Sequence, residues 1–228
     1  MAPFPETALT APLFGRILLV GLVCGLAATV FVELTELIKH HFRADGRYAP
    51  QRIAAAGAVV VLLTVAVRTR AYNGLSLPLI SAALSGAGVV GAAFAMKLLF
   101  TAITVDAGFP GGEVTPLLCV GACLGATLAG PLGGSPTLLA AVGYTAVYAT
   151  PSNTPLACTI MAAELLGSAA LVPCAIANVV AYQISAVHGV YPRQRIDVDK
   201  SHRAPPVRSL DVLHDPVRSR RGRDHRPN

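Results

Sequence analysis

Gly108-Phe109-Pro110-Gly111-Gly112-Glu113-Val114-Thr115-Pro116, running directly into the apolar stretch Leu117 to Ala129, is the segment that decides how the chain is read. Two adjacent glycines let the backbone bend sharply, and Pro116 suits the first turn of a helix, where its missing N–H would have had no intrahelical partner. The amides of Gly112, Glu113 and Val114 then become orphan donors at the head of an apolar helix, at the positive end of its macrodipole. Such a terminus favours an anion. Inside a membrane, backbone N–H groups offer partial charge, whereas a lysine would hold a halide too tightly and would itself be costly to bury. A phosphate-cradling loop is the competing reading, but the Gly-Lys-Ser/Thr ending is missing and no soluble parallel-sheet pattern precedes the glycines.

Glu113 is the second informative residue of this segment. A carboxylate between apolar stretches is expensive unless it has a partner or a task. In such surroundings a carboxyl group can take up and release protons near neutral pH, which suits a proton-coupled carrier. The alternative is an acid that only complements the helix dipole. Thr115 is placed to hydrogen-bond either an anion or the Glu113 side chain.

Outward from this segment, the composition points to lipid as the solvent. Of 228 residues, 54% are hydrophobic and 13% are charged, against about a quarter charged in an ordinary soluble domain. The apolar residues arrive in long runs between residues 11 and 190 rather than in amphipathic alternation. The formal charge of +6 is unevenly spread: ten of the eighteen Lys and Arg residues follow Tyr191, and Ile53 to Tyr191 holds three, Arg68, Arg70 and Lys97. A basic tail on an apolar body places the C-terminus in the cytoplasm. Nucleic-acid binding is the rival reading of that tail, and no aromatic or fold signature accompanies it. The five cysteines lie in apolar segments as small hydrophobes, and Cys119 and Cys123, though four apart, have no His or carboxylate beside them to complete a metal site. Met1 to Thr10 lacks the basic start of a secretory signal, so the first apolar run reads as a retained span.

Leu13 to Val32 is about twenty mostly apolar residues, enough to cross a hydrocarbon core of roughly 30 Å, with Arg16 near one end where it can snorkel. A polar amphipathic end, Glu33 to His41, and a loop over Phe42 to Gln51 are expected to follow. Ile53 to Val67 is a shorter helix closed by Arg68 and Arg70. Beyond Tyr72 the apolar pieces are short and broken by Gly and Pro: Leu75 to Leu84, Val89 to Val105, Leu117 to Ala129, Leu138 to Ala149, Leu156 to Leu166 and Ala169 to Ser185. Interrupted runs of this kind form broken, re-entrant helices, tolerated at membrane depth only where protein or a hydrated cavity satisfies the freed backbone. Gly121, Gly125 and Ala129 at helical spacing permit close helix packing. Residues 192 to 228, with Pro-Val-Arg-Ser at 206 to 209 and again at 216 to 219, read as a disordered basic cytoplasmic tail.

These blocks resemble the C-terminal half of the CLC family of chloride and fluoride transporters. Gly112-Glu113-Val114-Thr115-Pro116 sits where the family carries its Gly-x-Phe-x-Pro anion loop, with Val114 in place of the usual Phe. The form Gly-Gly-Glu-Val-Thr-Pro-Leu is similar to the fluoride-proton antiporter branch. Thr150-Pro151-Ser152-Asn153-Thr154-Pro155-Leu156, leading to Glu164, resembles the family's next segment, in which Pro-Leu begins a helix that ends near a Glu. His188-Gly189-Val190-Tyr191 resembles the start of the last helix, whose tyrosine hydroxyl faces the central anion. From the residues alone, Tyr191 reads equally as an interfacial anchor.

The resemblance implies an all-α, polytopic membrane protein with broken and re-entrant helices, the second half of an inverted repeat. Its parts are an extension (1–12), a transmembrane helical domain (13–191) and the tail (192–228), in a multi-pass protein of the cell membrane. Gly112, Glu113, Val114, Thr115, Pro116 and Tyr191 would bind the anion, and Glu113 would move protons. The implied partners are fluoride or chloride, protons, membrane lipid and a second subunit of a homodimer, with no nucleic acid. No cofactor, metal or enzymatic residue set is expected, since Ser, His and Asp do not cluster. The first half, with its external gating glutamate, is not visible in these residues, so this chain alone is expected to give no coupled transport. A chloride channel or chloride-proton exchanger, and a non-transporting half, are the other readings.

Overall fold

The described residues fold into eight α-helices: α1 (Ala11–Ala44), α2 (Ala49–Val67), α3 (Leu77–Ser85), α4 (Ala93–Asp106), α5 (Val114–Leu132), α6 (Pro136–Ser152), α7 (Pro155–Leu166) and α8 (Leu171–Ile184). They come from a computed structural model that describes residues 9–44, 49–109, 111–184, 195–196 and 208–209. Within the tail, Arg195 pairs with Ser209 and Ile196 with Arg208 in a short antiparallel ladder; the remainder of residues 192–228 and Tyr191 lie outside the described residues.

The helices follow from the apolar runs, with boundaries set by local chemistry. Helix α1 continues through the expected amphipathic end and three residues into the expected loop, to Ala44. Residues 33–44 contain neither Gly nor Pro to break it. At about 1.5 Å per residue, its 34 residues reach about 51 Å, longer than the hydrocarbon core. Helix α2 starts at Ala49 instead of after the loop, because Pro50 is tolerated in a first helical turn. The run expected from Val89 is helical only from Ala93, since Gly86 and Gly88 take left-handed φ values of 73° and 85° just before it. The sharp break between α6 and α7 is made by Asn153 at φ 57°, followed by Pro155 in the first turn of α7. Residues 11–38 and 114–132 are long and apolar enough to cross a membrane, and four shorter apolar helices accompany them.

Two seams hold the bundle together. A Cβ on Gly121 would overlap the Gly143 carbonyl, and one on Gly125 the Leu139 carbonyl, so α5 and α6 touch backbone to backbone. On α1, a Cβ at Gly21 or Gly25 would sit 3.0 Å or 2.9 Å from the carbonyl oxygens of Ala177 and Ala181 on α8. Without a strong hydrophobic drive between helices in lipid, such close approach is what supplies packing energy. The core gathers around these seams from α1, α5, α6 and α8, including Ile17, Val20, Leu117, Val120, Leu139 and Val142. The outer faces of α1 and α2 leave Leu22, Leu26, Val30 and Leu62 exposed, as lipid-facing helices require.

Candidate functional site

Helix α5 enters the protein through the bend over Ala107 to Glu113. The C-terminal turn of α4 closes with the Ala107 amide donating to Ile103 O at 3.3 Å, Gly108 to Val105 O at 3.2 Å and Phe109 to Thr104 O at 3.3 Å. Gly108 takes φ 97°, a conformation that side chains rarely adopt, so the chain leaves α4 at an angle only glycine allows cheaply. Gly111 and Gly112 are exposed, and nothing lies within 4 Å of the position a Cβ would take on either. Room is therefore left beside the bend for a ligand.

Glu113 is the N-cap of α5, with φ −87° and ψ −17°, and its side chain makes no capping hydrogen bond to the helix. Its carbonyl accepts from Leu117 N at 3.1 Å, which starts the helical ladder. Val114 and Thr115 form the first positions and Pro116 the third, where a proline wastes no donor. The helix thus begins at Val114, three residues before the expected Leu117, and the bend and the first turn are continuous. Among the described residues the amides of Gly112, Val114 and Thr115 have no backbone acceptor. Glu113, Val114 and Thr115 are half-buried and Pro116 is buried. Five of the six expected anion-site residues, Gly112 to Pro116, are therefore brought together at one helix head. Tyr191 is outside the described residues.

Sequence reading passed over Lys97. Its side chain is 2% exposed, and Nζ donates to Tyr72 O at 3.1 Å and Gly74 O at 2.5 Å. It lines a cavity of about 260 Å³ together with Tyr72, Thr101, Phe109, Gly111, Gly112 and Pro116. The cation thus faces the same space as the glycines of the bend. A lysine inside an apolar run was the available signal, because an ionisable residue at membrane depth is costly unless it serves a site.

The second expected block is also in place. Thr154 caps α7, Glu164 lies exposed near its end, and Ser152 Oγ sits 2.8 Å from both Tyr148 O and Thr154 Oγ1. Behind α7, the buried Asn178 of α8 donates to Thr159 Oγ1 at 3.0 Å.

Residues 3–186 match the model of the family described as voltage gated chloride channel. A curated relative from Pseudomonas syringae pv. tomato, a "Chloride/fluoride channel protein", is 34% identical over 84% of this chain and 44% of its own length. The "Voltage-gated ClC-type chloride channel ClcB" of Salmonella typhimurium is 30% identical over 70% of this chain and 41% of its own. Among solved structures, a CLC-type fluoride/proton antiporter superposes with a TM-score of 0.80 at 33% identity, covering 83% of this chain and 48% of that one. The chain spans about half the length of the relatives it matches.

Proposed function

Since the chain belongs to the voltage gated chloride channel family, we propose that it is the half of a CLC-type transporter that binds fluoride at the head of α5 and couples its movement to protons through Glu113. The observation that carries this reading is the helix head itself. Amides of Gly112, Val114 and Thr115 that have no backbone acceptor among the described residues flank a half-buried glutamate at the helix start. Amide dipoles hold a partly dehydrated halide without the tight grip of a full charge, so it can also leave. The glutamate supplies a proton site adjoining the anion, the minimum needed for exchange. Fluoride is preferred over chloride because the similar antiporter structure and the Pseudomonas syringae relative both carry fluoride in their names.

In this reading residues 13–191 form the membrane domain of a multi-pass protein in the cell membrane, residues 192–228 are a cytoplasmic tail, and Tyr191 adds a hydroxyl to the anion site. Two subunits, each with its own pore, make a homodimer. The portion of the relatives that this chain does not cover completes each pore, on the same polypeptide or on another.

The test joins this chain to the complementary half of the Pseudomonas syringae relative and follows fluoride and proton flux from liposomes. Glu113→Gln is expected to lower coupled flux by at least about a hundredfold, the scale of a lost proton-transfer group. Undiminished coupled flux in that variant would refute the role of Glu113. Chloride flux exceeding fluoride flux would favour the chloride-channel reading that ClcB represents. The chain reconstituted alone is expected to give no coupled flux; if the joined protein gave none either, the non-transporting reading would stand.

A further inference from the structure

Three basic residues lie between positions 53 and 191, and all three line two adjoining cavities that end at the bend before α5. The outer cavity, of about 450 Å³, holds Arg68 and Arg70 with Thr64 and Thr69. The inner one, of about 260 Å³, holds Lys97 and reaches Gly111 and Gly112. Val60 and Asn73 belong to both, so the two spaces meet. Among the described residues neither is lined by an acidic side chain and none of the three cations makes an ion pair.

From this juxtaposition we infer that Arg68, Arg70 and Lys97 form a side route that draws an inorganic anion in between α2 and α4 and hands it to the amides at the head of α5. The inference rests on the anion reading of that helix head and adds the path and its electrostatics.

Charges of one sign along a cleft with apolar walls focus the field and raise the local concentration of counter-ions. Here Val60, Phe100, Val105 and Phe109 supply such walls. The charges also change character inward, from Arg68 and Arg70, both exposed, to Lys97, which is buried. An anion is thus attracted in water first and meets a desolvated cation last. Finally, Lys97 does not close the path by trapping the ion. Its ammonium has three donors and already spends two on the carbonyls of Tyr72 and Gly74, which share its charge. The inner volume, about nine water shares of roughly 30 Å³ each, lets a halide arrive partly hydrated and shed water only at the amides.

The deciding measurement is fluoride association with the full chain in phosphatidylcholine nanodiscs, followed by 19F NMR line broadening, with ionic strength set by sodium gluconate. The outer pair is neutralised as Arg68→Asn with Arg70→Gln, asparagine being chosen because Arg68 holds φ 57°. A control pair, Arg203→Gln with Arg218→Gln, removes the same charge from the tail. The outer pair is expected to slow association about tenfold at about 0.01 M ionic strength and less than about twofold near 1 M, as Debye lengths of roughly 30 Å and 3 Å dictate. Lys97→Met is expected to slow it at both, since a buried charge is screened little, and Lys97→Arg to restore it. Equal effects of the outer and tail pairs, or no loss of salt dependence in the outer pair, would overturn the route while leaving the helix-head site intact. Absence of fluoride binding in the unmutated chain, under every salt condition, would overturn both.

Discussion

The two flanks of α5 are built on opposite principles. Toward α6 the helix is pressed backbone to backbone, with Gly121 and Gly125 against Gly143 and Leu139 and no room for a methyl group. At its N-terminal end, toward α2 and α4, it instead borders a cavity lined by Lys97, Thr101, Gly111 and Gly112, which adjoins a second one holding Arg68 and Arg70. A helix whose N-terminal amides must aim at an ion needs both. The tight flank fixes the direction of the helix, because a backbone contact has no rotamers to relax. The open flank leaves the anion space and charge.

The sharpest way to break this contrast is to force the tight flank apart. Gly125→Val places two methyl groups where the Leu139 carbonyl lies, and neither helix can yield without moving the core built on Val120, Leu124, Leu138 and Val142. Overpacking a well-filled core costs about 1–3 kcal/mol, and here the obstacle is backbone, so at least about 3 kcal/mol is expected. Thermal denaturation in detergent should show the chain losing its cooperative transition. By contrast, Gly111→Ala on the open flank meets nothing within 4 Å, and its transition should stay near that of the parent. Equal losses in both would mean that the flanks do not differ in the way described.

On the open flank the largest expected stability effect belongs to Lys97. Replacing it with Met leaves the buried carbonyl of Tyr72 and that of Gly74 without a charged donor. Against this stands the relief of no longer desolvating an ammonium, so a net loss of about 2 kcal/mol is expected rather than the full sum of two charged hydrogen bonds. The same melting experiment measures it. A stabilised Lys97→Met chain would show that the lysine is kept at a cost to the fold, which would strengthen the case that its charge serves the anion.

The tight flank was largely legible in the sequence, and the open flank was not. Gly121, Gly125 and Ala129 announce a close seam by spacing alone, because only small residues allow such approach. The bend over Gly108 to Pro116 announces a helix head by local chemistry, and the structure moves its start only from Leu117 to Val114. Lys97 stood out only as a charge inside an apolar run, which says nothing of what it faces. Its partners, the carbonyls of Tyr72 and Gly74, come from 25 and 23 residues earlier in the chain, and only the fold brings them to it. The last three residues of α1, 42–44, fell in the expected loop for a related reason. Polar residues at 33–44 resemble the end of a membrane span, while the helix itself needs only the absence of breakers.

The smallest expected effect asks whether the seam or the helix caps hold α6. Ser135 caps that helix, its Oγ accepting from Leu138 N at 3.5 Å, and the residue is exposed. A good serine cap contributes about 1 kcal/mol. This one is long, and water can replace it. Helix α6 is instead anchored by burial of Leu138, Leu139, Ala140 and Ala141 against α5 and α1, within three to six residues of the cap. Ser135→Ala should therefore cost less than about 0.5 kcal/mol. A loss of the full cap value would show that the α6 start depends on its own terminus, and that the rigid flank of α5 extends less far toward Gly125 than the glycine contacts imply.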